Sequence, residues 1–191
     1  VTVRTAGTPN GDGIDIDSST NVLVEDCTFD TGDDCVAVKS GIDADGRAWG
    51  KPTANVTVRR VRFLQGHGVS IGSDCSAGVK NVTFDGISCN GTVAGVRIKT
   101  QRGRGGVVEG VTYRNVVMQR VGSALELNQF YHAGIPPTSD VATPTLRDVL
   151  IENIVADADT GPGIIHCLPE NPCTGIVVRN MTVGAKDVAF S

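Results

Sequence analysis

The sequence predicts an all-β fold, a parallel β-helix (β-solenoid) of about six coils forming one domain over residues 1–191. Three observations carry this expectation. Two short segment types alternate along the whole chain at intervals of a few tens of residues. The composition is β-branched, with 27 Val and 12 Ile against 7 Leu, which suits pleated surfaces better than helices. Gly, Asn, Asp and Ser, the turn formers, separate the segments, and Gly alone accounts for 24 residues.

The first segment type reads NVLVEDCTF at 21–29, NVTVRRVRF at 55–63, NVTFDGISC at 81–89 and GVTYRNVVM at 110–118. It returns as DVLIENIVA at 148–156 and GIVVRNMTV at 175–183. Its first apolar positions are Val22, Val56, Val82, Val111, Val149 and Ile176, separated by 34, 26, 29, 38 and 27 residues. The second type is interleaved: GIDI at 13–16, CVAV at 35–38, GVSI at 68–71 and GVRI at 95–98, then the less regular ALEL at 124–127 and GIIHC at 163–167. Both alternate apolar with variable residues, the period of a strand. No window of helical length carries an apolar stripe at 3.6-residue spacing. The units are too short for four-stranded propeller blades. A sandwich is compatible with composition alone. Asn21, Asn55 and Asn81, which open three consecutive repeats, fit a stacked polar ladder at a turn.

Stacking sets equivalent residues of successive coils about 4.8 Å apart. The second segment type aligns on Ile14, Val36, Val69 and Val96. Two positions earlier fall Asp12, Asp34 and His67, with Asp33 beside Asp34. One position later fall Asp15, Ala37, Ser70 and Arg97; three later, Asp17, Lys39, Gly72 and Lys99. Carboxylates, an imidazole and cations are thereby gathered on one side of consecutive coils. Parity sends Arg97 and Lys99 outward. The same parity would bury Asp34 and His67 in straight strands, so a bend must precede each apolar run; Gly13 and Gly68 make it easy, Cys35 less so. An Asp-rich turn such as GDGIDIDSS is by itself a turn or calcium-ligand pattern. Neighbouring carboxylates cannot all ionise freely, so at least one is expected to be raised in pKa. That supplies an acid beside bases, the division of labour glycoside hydrolysis requires, with the cations suited to a substrate carrying carboxylates.

In order along the chain come PNGDGID (9–15), GDDCVAVKSG (32–41), GHGVSIGS (66–73) and VRIKT (96–100). These resemble the four signature segments of the polygalacturonase family of glycoside hydrolases. The resemblance covers essentially the whole chain and makes it look like the C-terminal part of a catalytic domain, truncated at its N-terminus. It implies a right-handed parallel β-helix that cleaves α-1,4 bonds between galacturonic acid units of polygalacturonate or pectin, with inversion. By motif, Asp33 would protonate the leaving oxygen, Asp12 and Asp34 would deprotonate the attacking water, and His67 would hold the acid. Arg97 and Lys99 would grip a galacturonate carboxylate, Asn10 would orient Asp12, and Tyr131 would touch substrate. No metal or organic cofactor is implied.

A net charge of −4 and a pI near 5.3 argue against a nucleic-acid partner. No stretch approaches eighteen uncharged apolar residues, so no bilayer span is expected. Six cysteines and four Asn-x-Ser/Thr sequons (Asn55, Asn81, Asn90, Asn180) are compatible with a secreted protein, and Cys167 with Cys173 is the expected disulfide. The protein is expected to act as a monomer. Rival readings are a rhamnogalacturonan or xylogalacturonan hydrolase, and a non-catalytic carbohydrate-binding solenoid.

Overall fold

In the computed structural model, which describes residues 1–132 and 142–185, the chain is a right-handed parallel β-helix. Short strands form a six-stranded sheet: β2 (Ile14–Asp17), β5 (Val36–Lys39), β7 (Val69–Gly72), β9 (Ala94–Lys99), β11 (Ser123–Asn128) and β13 (Gly163–His166). The eight-stranded sheet holds β1 (Thr2–Arg4), β3 (Thr20–Glu25), β4 (Thr28–Asp30), β6 (Thr53–Gln65), β8 (Val79–Asn90), β10 (Val107–Val121), β12 (Thr145–Ala158) and β14 (Thr174–Ala185). All pairings within these two sheets are parallel.

The register follows the repeats. Val22, Val56, Val82, Val111, Val149 and Ile176 are direct partners from coil to coil. So are Ile14, Val36, Val69, Val96 and Leu125. One face of each strand points into a shared core in which Phe29 lies against Phe63 and Phe84 stacks on Tyr113, ring centroids 4.6 Å apart. Burial of such side chains, about 1.5–3 kcal/mol each, is what each coil gains only by having neighbours.

Each long strand turns twice, at residues of left-handed φ five positions apart. The first turn uses Asn21, Asn55, Asn81, Gly110, Asp148 and Gly175; the second uses Asp26, Arg60, Gly86, Asn115, Asn153 and Asn180. Asn and Asp tolerate this conformation better than other non-glycine residues. The expected asparagine ladder is present at the first turn: Asn55 Nδ2 donates to Asn21 Oδ1 (3.0 Å) and Asn81 Nδ2 to Asn55 Oδ1 (2.7 Å). A second ladder, not read from the sequence, runs Asn180 to Asn153 to Asn115. Three of the four sequon asparagines thus belong to the ladders, and the fourth, Asn90, accepts from Arg120 Nη2 at 2.6 Å.

Two further elements complete the picture. Cys167 and Cys173 form the expected disulfide, while Cys27, Cys35, Cys75 and Cys89 are buried free thiols. A helix absent from the sequence expectation, α1 (Asp43–Trp49), follows β5. Its Arg47 donates to the carbonyls of Gly103 and Arg104, and Arg104 returns to Asp43, tying the loop after β9 to the rim of the cleft described next.

Candidate active site

The outer face of the short-strand sheet carries two polar columns. One runs Asp15, Ala37, Ser70, Arg97, Glu126; the other places Lys39 beside Asp17 and Lys99 between Gly72 and Asn128. The residues before each strand join them only if the chain bends, and it does. Asp34 precedes β5 rather than belonging to it, and Cys35, fully buried, turns its thiol toward Thr31 and the Gln65 carbonyl. His67 stands between Gly66 (φ 112°) and Gly68 (φ 80°). A Cβ on Gly66 would collide with Thr31 Oγ1, and one on Gly68 with the Ala94 carbonyl, so only glycine allows the approach.

Asp34 is the most enclosed group, with 2% of its side chain exposed. Its Oδ2 accepts from Lys99 Nζ at 2.7 Å and its Oδ1 from Ser70 Oγ at 2.7 Å, with Arg97 Nη1 3.6 Å away. A carboxylate so buried requires such partners, since an unpaired charge there costs several kcal/mol, roughly. Asp33 is more open; its Oδ1 faces His67 Nδ1 and the Asp34 amide, both at 2.8 Å. The His67 amide donates to the Asp33 carbonyl, also at 2.8 Å, fixing one loop on the other.

On the adjoining coil, where the Gly13 amide donates to the Asp34 carbonyl, Asp12 and Asp15 share one cation: Lys39 Nζ lies 3.7 Å from Asp12 Oδ2 and 2.6 Å from Asp15 Oδ2. Burial, then the neighbouring carboxyl of Asp15, pushes the Asp12 carboxyl up to about 6, against the pull of Lys39. The sequence reading expected crowding to raise one carboxylate; at Asp12 burial is the larger cause, and the crowding neighbour is chiefly Asp15. Asn10, expected to orient Asp12, lines the same cleft at φ 51°, while Asp15 and Lys39 are the groups that hold the Asp12 carboxyl.

Arg97 and Lys99 leave the core on the outward side, as parity requires, but are largely enclosed: they are 8% and 6% exposed. Tyr131 covers both, its ring centroid 5.5 Å from Arg97 Cζ and 5.2 Å from Lys99 Nζ. Arg97 Nε donates to Glu126 at 2.8 Å, and its buried Nη1 has no hydrogen-bond partner. Asn10, Asp12, Asp33, Asp34, Lys99 and Tyr131, with Asp15, Lys39 and Arg104, line one cleft of about 460 Å³; His67 and Arg97 stand behind it. Lys39, Ser70 and Glu126 were not among the sequence-derived site residues. The first two occupy the aligned columns, and Glu126 is the next-coil counterpart of Arg97, so register was the signal that could have found them.

Asp33, Asp34 and His67 bring donor atoms within 4.8 Å of one another, a spacing open to a metal ion. Lys99 and Ser70 already hold both Asp34 oxygens, so the donor set reads better as an acid–imidazole–cation network. No helix among the described residues is long and apolar enough to cross a membrane.

Comparison with known proteins places this geometry in a family. The sequence is 35% identical over 178 residues to a probable polygalacturonase of Vitis vinifera, covering 92% of this chain and 36% of that protein. It is 40% identical over 156 residues to an endo-polygalacturonase of Pectobacterium parmentieri, covering 79% and 36%. The chain therefore spans little more than a third of these relatives. Among solved structures, an exopolygalacturonase from Thermotoga maritima superposes with a TM-score of 0.71 at 28% identity, over 93% of this chain and 43% of that one. A polygalacturonase from Erwinia carotovora gives 0.61 at 30%, over 96% and 49%. The sequence model of glycosyl hydrolases family 28 matches residues 1–189, and the chain belongs to that family.

Proposed function

We propose that this chain carries the hydrolytic centre for α-1,4 bonds between galacturonate units of polygalacturonate, acting by inverting acid–base chemistry. The observation that carries the reading is the pairing of Asp33 with His67 beside Asp34, with Asp34 held by Lys99, in a cleft that Asp12 also lines. Asp33 is the acid. His67 and the Asp34 amide both address its Oδ1, which leaves Oδ2 to carry the proton to the leaving glycosidic oxygen. Asp12 and Asp34 accept the proton of a water that attacks the anomeric carbon from the opposite face.

Lys99, which lines the cleft, compensates the Asp34 charge and supplies the cationic ground for a substrate carboxylate, and Arg97 behind it adds a second positive charge 3.6 Å from Asp34. Tyr131 offers the ring over which a sugar lies, and Asn10 a polar edge to the cleft. The Cys167–Cys173 disulfide supports an oxidising, extracellular location.

The test is reducing-end release from polygalacturonate by the parent chain and by Asp33→Asn, with folding followed by circular dichroism and the product anomer by proton NMR. Release of inverted product by the parent alone is expected. A folded parent that releases nothing, or that prefers rhamnogalacturonan, would overturn the assignment.

A further inference from the structure

Asp12 is assigned above as a base, yet it is the site carboxyl whose surroundings push it toward the protonated form. Its neighbours account for both tendencies. Asp15 is the like charge nearest Asp12, and Lys39 is the ammonium both carboxyls touch, so both bear on how tightly Asp12 holds its proton. Lys39 touches both, but unequally: 2.6 Å to Asp15 and 3.7 Å to Asp12. The ammonium therefore compensates Asp12 only in part, and burial with the Asp15 charge outweighs its pull.

We propose that Asp15 and Lys39 are positioning residues for the hydrolytic reaction, a carboxylate–ammonium pair that sets the pH above which Asp12 becomes free to act as base. This rests on the hydrolytic reading of the site. Asp15 comes from β2 and Lys39 from β5, adjacent rungs of the short-strand sheet, so the pair is built into the coil register. The other charged groups facing the cluster are Asp33, on the coil adjoining Asp12, and Asp74, which faces Lys39, while Lys99 and Arg104 line the same cleft. Of these cations Lys39 is the one paired with Asp12.

The two partners act with opposite sign, and this distinguishes the proposal from a structural role. Removing the Lys39 charge leaves Asp12 facing Asp15 and Asp33 without compensation, so its proton is held to higher pH. Removing the Asp15 charge withdraws the nearest like charge, so the proton leaves at lower pH. At this partly solvated position each change is expected to move the titration by about one pH unit, the low end of the range for charges a few ångströms apart.

The experiment uses the whole chain and two readouts. The first is the Cγ signal of Asp12, labelled with carbon-13, assigned by its loss in Asp12→Asn and titrated in the parent, Lys39→Met, Lys39→Arg and Asp15→Asn. The second is the acid limb of kcat on polygalacturonate in the same proteins. Lys39→Met should move both readouts upward, Asp15→Asn should move both downward, and Lys39→Arg should restore the parent values. Shifts in the same direction for both substitutions, or no shift in Asp12, would overturn the proposal. So would a change confined to KM, which would make Lys39 a substrate contact instead. A parent without activity would remove the hydrolytic reading, and with it the assigned role. The carboxyl titration would still report whether Lys39 and Asp15 set the proton affinity of Asp12.

Discussion

The first-turn ladder has a gap that can be filled. Asn21, Asn55 and Asn81 bond in sequence, each amide donating to the coil before it, and the next coil places Gly110 at that position with φ 63°. Gly110→Asn would put a residue that tolerates left-handed φ where a side chain fits. A Cβ there meets the Asn81 amide nitrogen at 3.5 Å and its Cα at 3.8 Å, ordinary contacts. The new Nδ2 would donate to Asn81 Oδ1, continuing the ladder's direction. Restricting the unfolded chain contributes about 0.4–1 kcal/mol and the hydrogen bond about 0.5–1.5 kcal/mol, so a gain of roughly 1–2 kcal/mol is expected. For a chain of this size that raises Tm by about 2–8 °C. Gly110→Ala is the control, because alanine adds the same Cβ without the amide and bears a left-handed penalty of about 1–2 kcal/mol. Urea and thermal unfolding followed by far-ultraviolet circular dichroism should rank the three proteins Asn, Gly, Ala. Equal stability of the Asn and Ala variants would refute the ladder as a source of stability.

Three more outcomes follow from the same geometry. Lys99→Met leaves Asp34 buried without its closest cation and should cost about 3–5 kcal/mol in urea unfolding, with activity lost; a cost below 1 kcal/mol, roughly, would show that Asp34 does not depend on Lys99. Arg114→Glu sets three acids in a row between Asp85 and Glu152, costing about 1–2 kcal/mol at low salt and less at 1 M salt, roughly; a cost indifferent to salt would exclude charge as its cause. Because Asp12 is raised from 3.8 to about 6, the folded state binds its proton more tightly than the unfolded state. The stabilisation this brings is present below pH 4, roughly, and is lost as pH rises to about 6. Asp12→Asn should therefore gain stability relative to the parent between those values, measured by urea midpoints at each pH, and the opposite trend would contradict the raised carboxyl.

What the sequence revealed and what it hid divide along physical lines. Coil register was legible because burial repeats it: Val22 to Ile176 are all apolar, and a slip of one residue would expose the set. The polar columns inherit that register, so the convergence of Asp12, Asp34 and His67 could be read without any structure. The second turn ladder was hidden because backbone conformation rather than side-chain identity is what repeats there, with Arg60 and Gly86 standing where others have Asn or Asp. Helix α1 was hidden because seven residues cannot display an apolar period. Parity gave the direction of Arg97 and Lys99 but not their enclosure, since Tyr131, which covers them, arrives from the loop of another coil.

The contrast between two charged columns on this solenoid shows how a scaffold of uniform spacing comes to hold chemistry. On the long-strand sheet, Glu25, Arg59, Asp85, Arg114, Glu152 and Arg179 are partners from rung to rung, with strictly alternating sign. There the Arg59 hydrogen bond holds Glu25 below the usual carboxylate range. Asp85, despite its burial, is held low by Asn115 and Arg114. Charges so matched have little reason to exchange protons near neutral pH. Around the cleft the rung spacing is the same, but alternation fails: Asp12, Asp15, Asp33 and Asp34 meet Lys39, Lys99 and an Arg97 already engaged by Glu126. Carboxyls are in excess there, and Asp12, partly buried beside Asp15, is the one whose proton is held to about 6. Burial and charge count, acting on a fixed repeat, are thus sufficient to separate a structural ladder from a site able to move protons.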